Sequence, residues 1–181
     1  MNAFLKSLTA PLFSFILLIL GACAHYTNVT EESLPFKTIY IDPVNNNSFA
    51  PNVQVLFDAQ IRQKILESGR IQIVQDLAQA DCQLFVRLEN YSRSPIARSS
   101  TDPGRVSALN TSLRAVVSFY DTINGRYLIK DYSLANSEPI FFPETGTESS
   151  LIDTKEGEYR VLPKNIDQLT EAITQLILMD W

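Results

Sequence analysis

The hydrophobic positions of this chain switch between period two and helical spacing, and the switches mark out its elements. Over residues 36–41 (FKTIYI), Phe36, Thr38 and Tyr40 alternate with Lys37, Ile39 and Ile41, which predicts a buried strand; Asp42-Pro43 and Asn45-Asn46-Asn47 then stop it. Over residues 51–68, Val53, Leu56, Phe57, Ile61 and Ile65 recur at helical spacing, and Gly69 follows as a C-cap. A short strand is expected at residues 71–74, then a turn at Gln79-Ala80-Asp81. Leu84, Val86 and Leu88 next alternate with Phe85, Arg87 and Glu89 in a strand that continues toward Tyr91 and runs out at Ser94-Pro95. The cleanest alternation is Leu109, Thr111, Leu113, Ala115, Val117 and Phe119, facing away from Asn110, Ser112, Arg114 and Ser118. Asn124-Gly125 signals a hairpin, so residues 126–134 should return antiparallel. Helical spacing reappears in Leu162, Ile166, Leu169, Ile173 and Ile177, with Pro163 in the first turn. This order predicts an α+β two-layer sandwich: two helices on one face of a mixed, mainly antiparallel sheet of about four or five strands, formed by a single domain of residues 36–181.

The N-terminus carries a different pattern. Lys6 supplies a short positive region, residues 12–20 (LFSFILLIL) form an apolar run, and Gly21-Ala22-Cys23 follows. The run is about half of the roughly 20 residues a spanning helix needs, so a removable signal over residues 1–22 is the better reading than a transmembrane anchor. Leu20-Gly21-Ala22-Cys23 resembles the lipobox of bacterial lipoproteins, in which the thiol receives a diacylglyceryl group, the chain is cut before it, and the freed amine is commonly acylated. Several chains are needed because one acyl chain binds a bilayer only marginally. The bland alternative is a signal-region cysteine without consequence. Ala24, rather than Asp, after Cys23 favours the outer membrane, with the domain facing the periplasm. Residues 23–35 then form a short polar tether ending at Pro35, and they include His25, the single histidine.

Composition narrows the function. Removing residues 1–22 takes away one of 15 basic residues and none of the 20 acids, leaving a net charge near −6 that disfavours bulk nucleic-acid binding. The chain has two cysteines, so lipidation of Cys23 leaves Cys82 unpaired, and its apolar surroundings (CQLFV) read as a small buried hydrophobe. No glycine-rich phosphate loop, Cys/His metal spacing or Ser/His/Asp set is present. Asp42, Asp58, Asp81, Glu89, Asp121 and Asp131 are scattered enough to be ordinary surface acids. A non-enzymatic protein without cofactor or metal is expected.

One charge pattern stands out. Arg87, Arg93, Arg98, Arg105 and Arg114 share a stretch whose only acids are Glu89 and Asp102. Residues 92–107 join two long strands, which would place Arg93, Arg98 and Arg105 at one end of the sheet. Guanidinium groups match phosphate and carboxylate bidentately, as an anionic glycolipid or acidic protein surface would require; a solvated loop with no ligand is the alternative. Glu144, Glu148, Asp153, Glu156 and Glu158 read as a solvated acidic loop before the last helix.

Taken in order, the lipobox cysteine with His25-Tyr26, the strand FKTIYIDPVNN, the helix ending Ser68-Gly69-Arg70, the Gln79-Ala80-Asp81 turn, the paired strands around Asn124-Gly125 and the closing YRVLPKNIDQLTEAITQLILMDW resemble the LptE-like lipopolysaccharide-assembly lipoproteins. The resemblance spans essentially the whole chain, although Ala24 stands where many members have glycine and His25 precedes Tyr26. It implies a plug and assembly partner for the outer-membrane β-barrel that inserts lipopolysaccharide, with lipopolysaccharide bound near the end of the sheet and no catalysis. Arg93, Arg98 and Arg105 are assigned to that ligand from position and charge alone. The runner-up is a periplasmic regulatory or secretion-associated lipoprotein of similar fold that binds a protein partner or oligomerises.

Overall fold

A computed structural model of the chain describes residues 34–142 and 150–179. The signal, Cys23, His25 and nearly all of the tether lie outside them, as do Glu144 and Glu148. Within them the order is β1 (Thr38–Ile41), β2 (Asn45–Asn46), α1 (Val53–Ser68), β3 (Gln72–Val74), a 3-10 turn (Leu77–Gln79), β4 (Cys82–Arg98), β5 (Val106–Asp121), β6 (Arg126–Phe141) and α2 (Ser150–Ile177). The six-stranded sheet runs β3-β1-β4-β5-β6, with the two-residue β2 also beside β4. β1 is parallel to β3 and β4, and the three long strands are antiparallel. The fold is thus the expected α+β arrangement, with β2 as an additional short strand.

One sheet face and both helices share a single core. Leu84, Val86 and Leu88 on β4 stand beside Phe119, Val117 and Ala115 on β5, and all six are buried. Val53, Phe57, Ile61 and Ile65, spaced four apart on α1, join them with Leu162, Ile166, Leu169, Ile173 and Ile177 of α2. The α1 stripe needs no help from capping, since Asn52 makes no side-chain cap hydrogen bond; Gly69, at φ 64°, closes the helix by donating to Leu66 O at 3.1 Å. Across the two helices Lys64 Nζ meets Asp167 Oδ1 at 3.0 Å and Glu171 Oε2 at 3.1 Å. Arg70 Nη1 donates to Leu178 O at 3.0 Å at the far end of α2.

The Gln79-Ala80-Asp81 turn locks the start of β1. Asp81 Oδ2 accepts from Lys37 N at 2.7 Å and Thr38 N at 3.0 Å, while Thr38 Oγ1 donates to Gln79 O and accepts from Asp81 N. The Lys37 backbone donor, supported by those of Thr38, holds the Asp81 carboxyl below its ordinary value. A carboxyl lowered by folding contributes stability that is complete above about pH 4 and is lost as pH falls through the lowered value. Asp81→Asn is therefore expected to flatten the acid limb of stability below about pH 4, measured as urea midpoints across pH; an unchanged acid limb would contradict this role.

Three expectations are corrected. β4 does not end at Ser94-Pro95 but continues to Arg98, and β6 extends past Leu134 to Phe141. Pro95 is tolerated because, beyond Leu88, β4 has a neighbouring strand on one side only among the described residues, so a missing N–H there need not break a ladder. Third, α2 begins at Ser150 rather than near Pro163, which lies inside it. Asp153, Glu156 and Glu158 therefore belong to a helix and not to a solvated loop: Glu156 pairs with Arg160 one turn on, and Glu158 turns toward the sheet. Gly157 permits that approach, because a Cβ there would stand 2.5 Å from Ile140 Cγ2.

Candidate functional site

The arginines sort by where the long hairpin carries them. Arg98 is the last residue of β4, opposite Val106, and Arg105 immediately precedes β5, so the two flank the tip formed by residues 99–105. The tip is built by its own polar groups. Ser99 N donates to Arg105 O and Arg105 N to Asp102 O, both at 2.9 Å, and Gly104 N donates to Asp102 Oδ1 at 3.0 Å. Arg98 Nη1 donates to Pro103 O at 3.1 Å, which holds that guanidinium across the turn. Exposed apolar side chains occupy the same end of the sheet: Ile96 is 53% and Phe141 73% exposed. Cations beside apolar side chains suit a ligand that carries both anionic groups and acyl chains.

Arg93 does not join that pair. It lies five positions back along β4, roughly 16 Å at about 3.3 Å per residue, on the face covered by α2. Register places Arg93, Thr111 and Glu138 side by side on β4, β5 and β6. Above this row α2 supplies a matching set. Arg93 Nε stands 2.7 Å from Glu158 Oε1, Asn165 Nδ2 donates to Thr111 Oγ1 at 3.2 Å, and Lys164 Nζ donates to Glu138 Oε2 at 2.8 Å. Thr111 Oγ1 in turn donates to Glu138 O at 2.9 Å, and Asn136 Nδ2 to Asn165 Oδ1 at 2.8 Å. The charge order on the sheet is opposite to that on the helix, so sliding α2 would unpair buried groups; the row fixes the helix's register. Arg93 also lies 5.5 Å from the centre of the Tyr91 ring. Burial, then the Glu158 charge, pushes the Tyr91 phenol up from its ordinary value.

Sequence reasoning missed this row. The signal was present in part: Glu158 lies four positions before Leu162 and so extends the buried stripe of α2 with an acid. Glu138, Lys164 and Asn165 carried no such sign, because only the strand register brings them together.

The remaining candidate acids make hydrogen bonds within the fold. Asp42 accepts from Gln83 Nε2, Asp58 from Arg62, Glu89 from Arg87 and Asp131 from Ser118 Oγ. Asp121 holds the Asn124-Gly125 turn by accepting from Asn124 N and Nδ2 at 2.9 and 2.7 Å, which lower its carboxyl from the ordinary value. The Cys82 thiol is buried and pushed up to about 12, first by burial and then by the charges of Asp121 and Asp81, so it is a poor nucleophile. A shallow groove of about 300 Å³ on the opposite sheet face is lined by Asp42, Phe85, Arg87 and Val116 among others. No group of three His, Cys, Asp or Glu among the described residues is placed to hold a metal, and no described helix is long and apolar enough to cross a membrane.

Solved structures to which the chain is similar include a minor lipoprotein of Acinetobacter baumannii, at 16% identity, covering 80% of this chain and 94% of that one with a TM-score of 0.46. Lipoprotein B of Nitrosomonas europaea is also 16% identical, covering 80% of this chain and 81% of that one with a TM-score of 0.49. No curated protein is a significant match. The family comparison is decisive: the LptE lipopolysaccharide-assembly family matches residues 36–178, from two residues before β1 to one residue past α2. That match contains the whole sheet, both helices and the arginine-bearing tip, and the chain accordingly belongs to the LptE lipopolysaccharide-assembly family.

Proposed function

We propose that the protein is a non-enzymatic outer-membrane lipoprotein, anchored through Cys23 on the periplasmic side, that plugs and helps assemble the β-barrel inserting lipopolysaccharide. The family match over residues 36–178 carries this reading. The geometry supports it in two ways. β5, at 16 residues, extends about 50 Å at about 3.3 Å per residue, roughly twice the ~25 Å apolar band of an outer-membrane barrel. A sheet of that length can run through a barrel lumen, and the polar open-face residues Ser112, Arg114 and Ser118 suit a water-lined wall. At the tip, Arg98 and Arg105 would pair with the phosphates of lipopolysaccharide while Ile96 and Phe141 meet its acyl chains, with Arg93 as a third cation behind them. The named acids are engaged in folding contacts, which supports a role without catalysis, cofactor or metal.

Depleting the protein in its own cells tests the role. Newly made lipopolysaccharide is expected to accumulate within the envelope while its surface fraction falls. An unchanged surface fraction would overturn the reading.

A further inference from the structure

The row beneath α2 contains a carboxylate that competes with the proposed ligand. We propose that Glu158 is an internal competitor for Arg93, holding its guanidinium until a phosphate-bearing ligand displaces the carboxylate, and so setting the affinity of the hairpin for anions. The proposal rests on the reading of Arg93, Arg98 and Arg105 as an anionic-glycolipid site.

Four observations carry it. Glu158 is 13% exposed against 50% for Arg93, so the guanidinium faces solvent while the carboxylate does not. A guanidinium has five donors, and the Arg93 side chain is half exposed, so an anion can approach it while Glu158 is still in place. Glu158 Oε1 is enclosed, and Arg93 Nε stands 2.7 Å from it as its ion-pair partner. A phosphate accepting bidentately from Arg93 competes for the same guanidinium, and the carboxylate's hold on it sets the cost of that exchange. Finally, Pro163 lacks the N–H that would bond to Tyr159 O, separating the part of α2 that bears Glu158 from the part packed on α1. One backbone bond is therefore missing between the turn that bears Glu158 and the turns that bear Ile166, Leu169 and Ile173.

The test uses the full-length lipidated protein in nonionic detergent, with two probes, lipopolysaccharide and inorganic phosphate. Glu158→Gln is expected to tighten lipopolysaccharide binding about threefold to fivefold. Glu156→Gln, the same charge change at an exposed position, is expected to leave it unchanged. The gain is expected to vanish when Arg93→Ala is combined with Glu158→Gln. In parallel, the Nε resonance of Arg93 should respond to inorganic phosphate at lower concentration in Glu158→Gln than in the unaltered protein. A gain that persists without Arg93, or that Glu156→Gln reproduces, overturns the proposal. If the unaltered protein binds no lipopolysaccharide, the glycolipid reading falls instead, and the phosphate titration still decides the competitor: equal responses of Arg93 in the two proteins overturn it.

Discussion

Phe119→Ala is expected to lower the unfolding free energy by about 3–5 kcal/mol, measured by urea denaturation of the unlipidated domain. Phe119 is fully buried at the centre of β5 and stands edge-on to Phe36, ring centres 5.1 Å apart. It also lies between Leu84 on β4 and Ile129 on β6, so its ring is enclosed by three strands before the helices are added. Neither strand can collapse into the vacated space without breaking its ladder, which places the loss near the upper end for an aromatic truncation. Against a total stability of about 5–15 kcal/mol this is a large fraction. The midpoint should move while the slope of the transition stays the same. A loss under about 1 kcal/mol would show that the core is not organised around this ring.

The second large effect is on binding. Replacing Arg98 and Arg105 together with alanine is expected to weaken lipopolysaccharide binding at least tenfold, measured by titration in detergent at fixed salt. Each charge-assisted contact is worth about 1.5–3 kcal/mol, and about 1.4 kcal/mol corresponds to tenfold. Folding should be affected little, because the tip keeps the hydrogen bonds of Ser99, Asp102 and the backbone, although the bond from Arg98 to Pro103 O is lost. Arg93→Ala is expected to weaken binding less, since Glu158 already holds that side chain. Unchanged binding in the double variant would return the tip to a solvated loop.

Much of the fold was legible because its signals were local. The spacing of Phe57, Ile61 and Ile65, the glycine after Ser68 and the alternation from Leu109 to Phe119 each depend on one segment, and each predicted element is present. Two of the errors arose where a proline was read by its intrinsic preference. Pro95 and Pro163 normally end elements, but an edge position spared one, and packing on β5 and β6 carried α2 past the other. The site was legible only as a charge bias. Composition identified the arginines, but strand register alone decides that Arg98 and Arg105 flank a tip while Arg93 lies under a helix, opposite an acid 65 positions away in sequence. Long-range ion pairs leave no periodic trace, which is why the acidic stretch around Glu158 read as solvated.

The most direct measurement is the composition of the complex recovered when the tagged, lipidated protein is extracted from its own membranes in mild detergent. The account predicts one large outer-membrane β-barrel in equimolar amount with this chain. Recovery of the chain without a barrel, alone or as a homo-oligomeric ring, would contradict it.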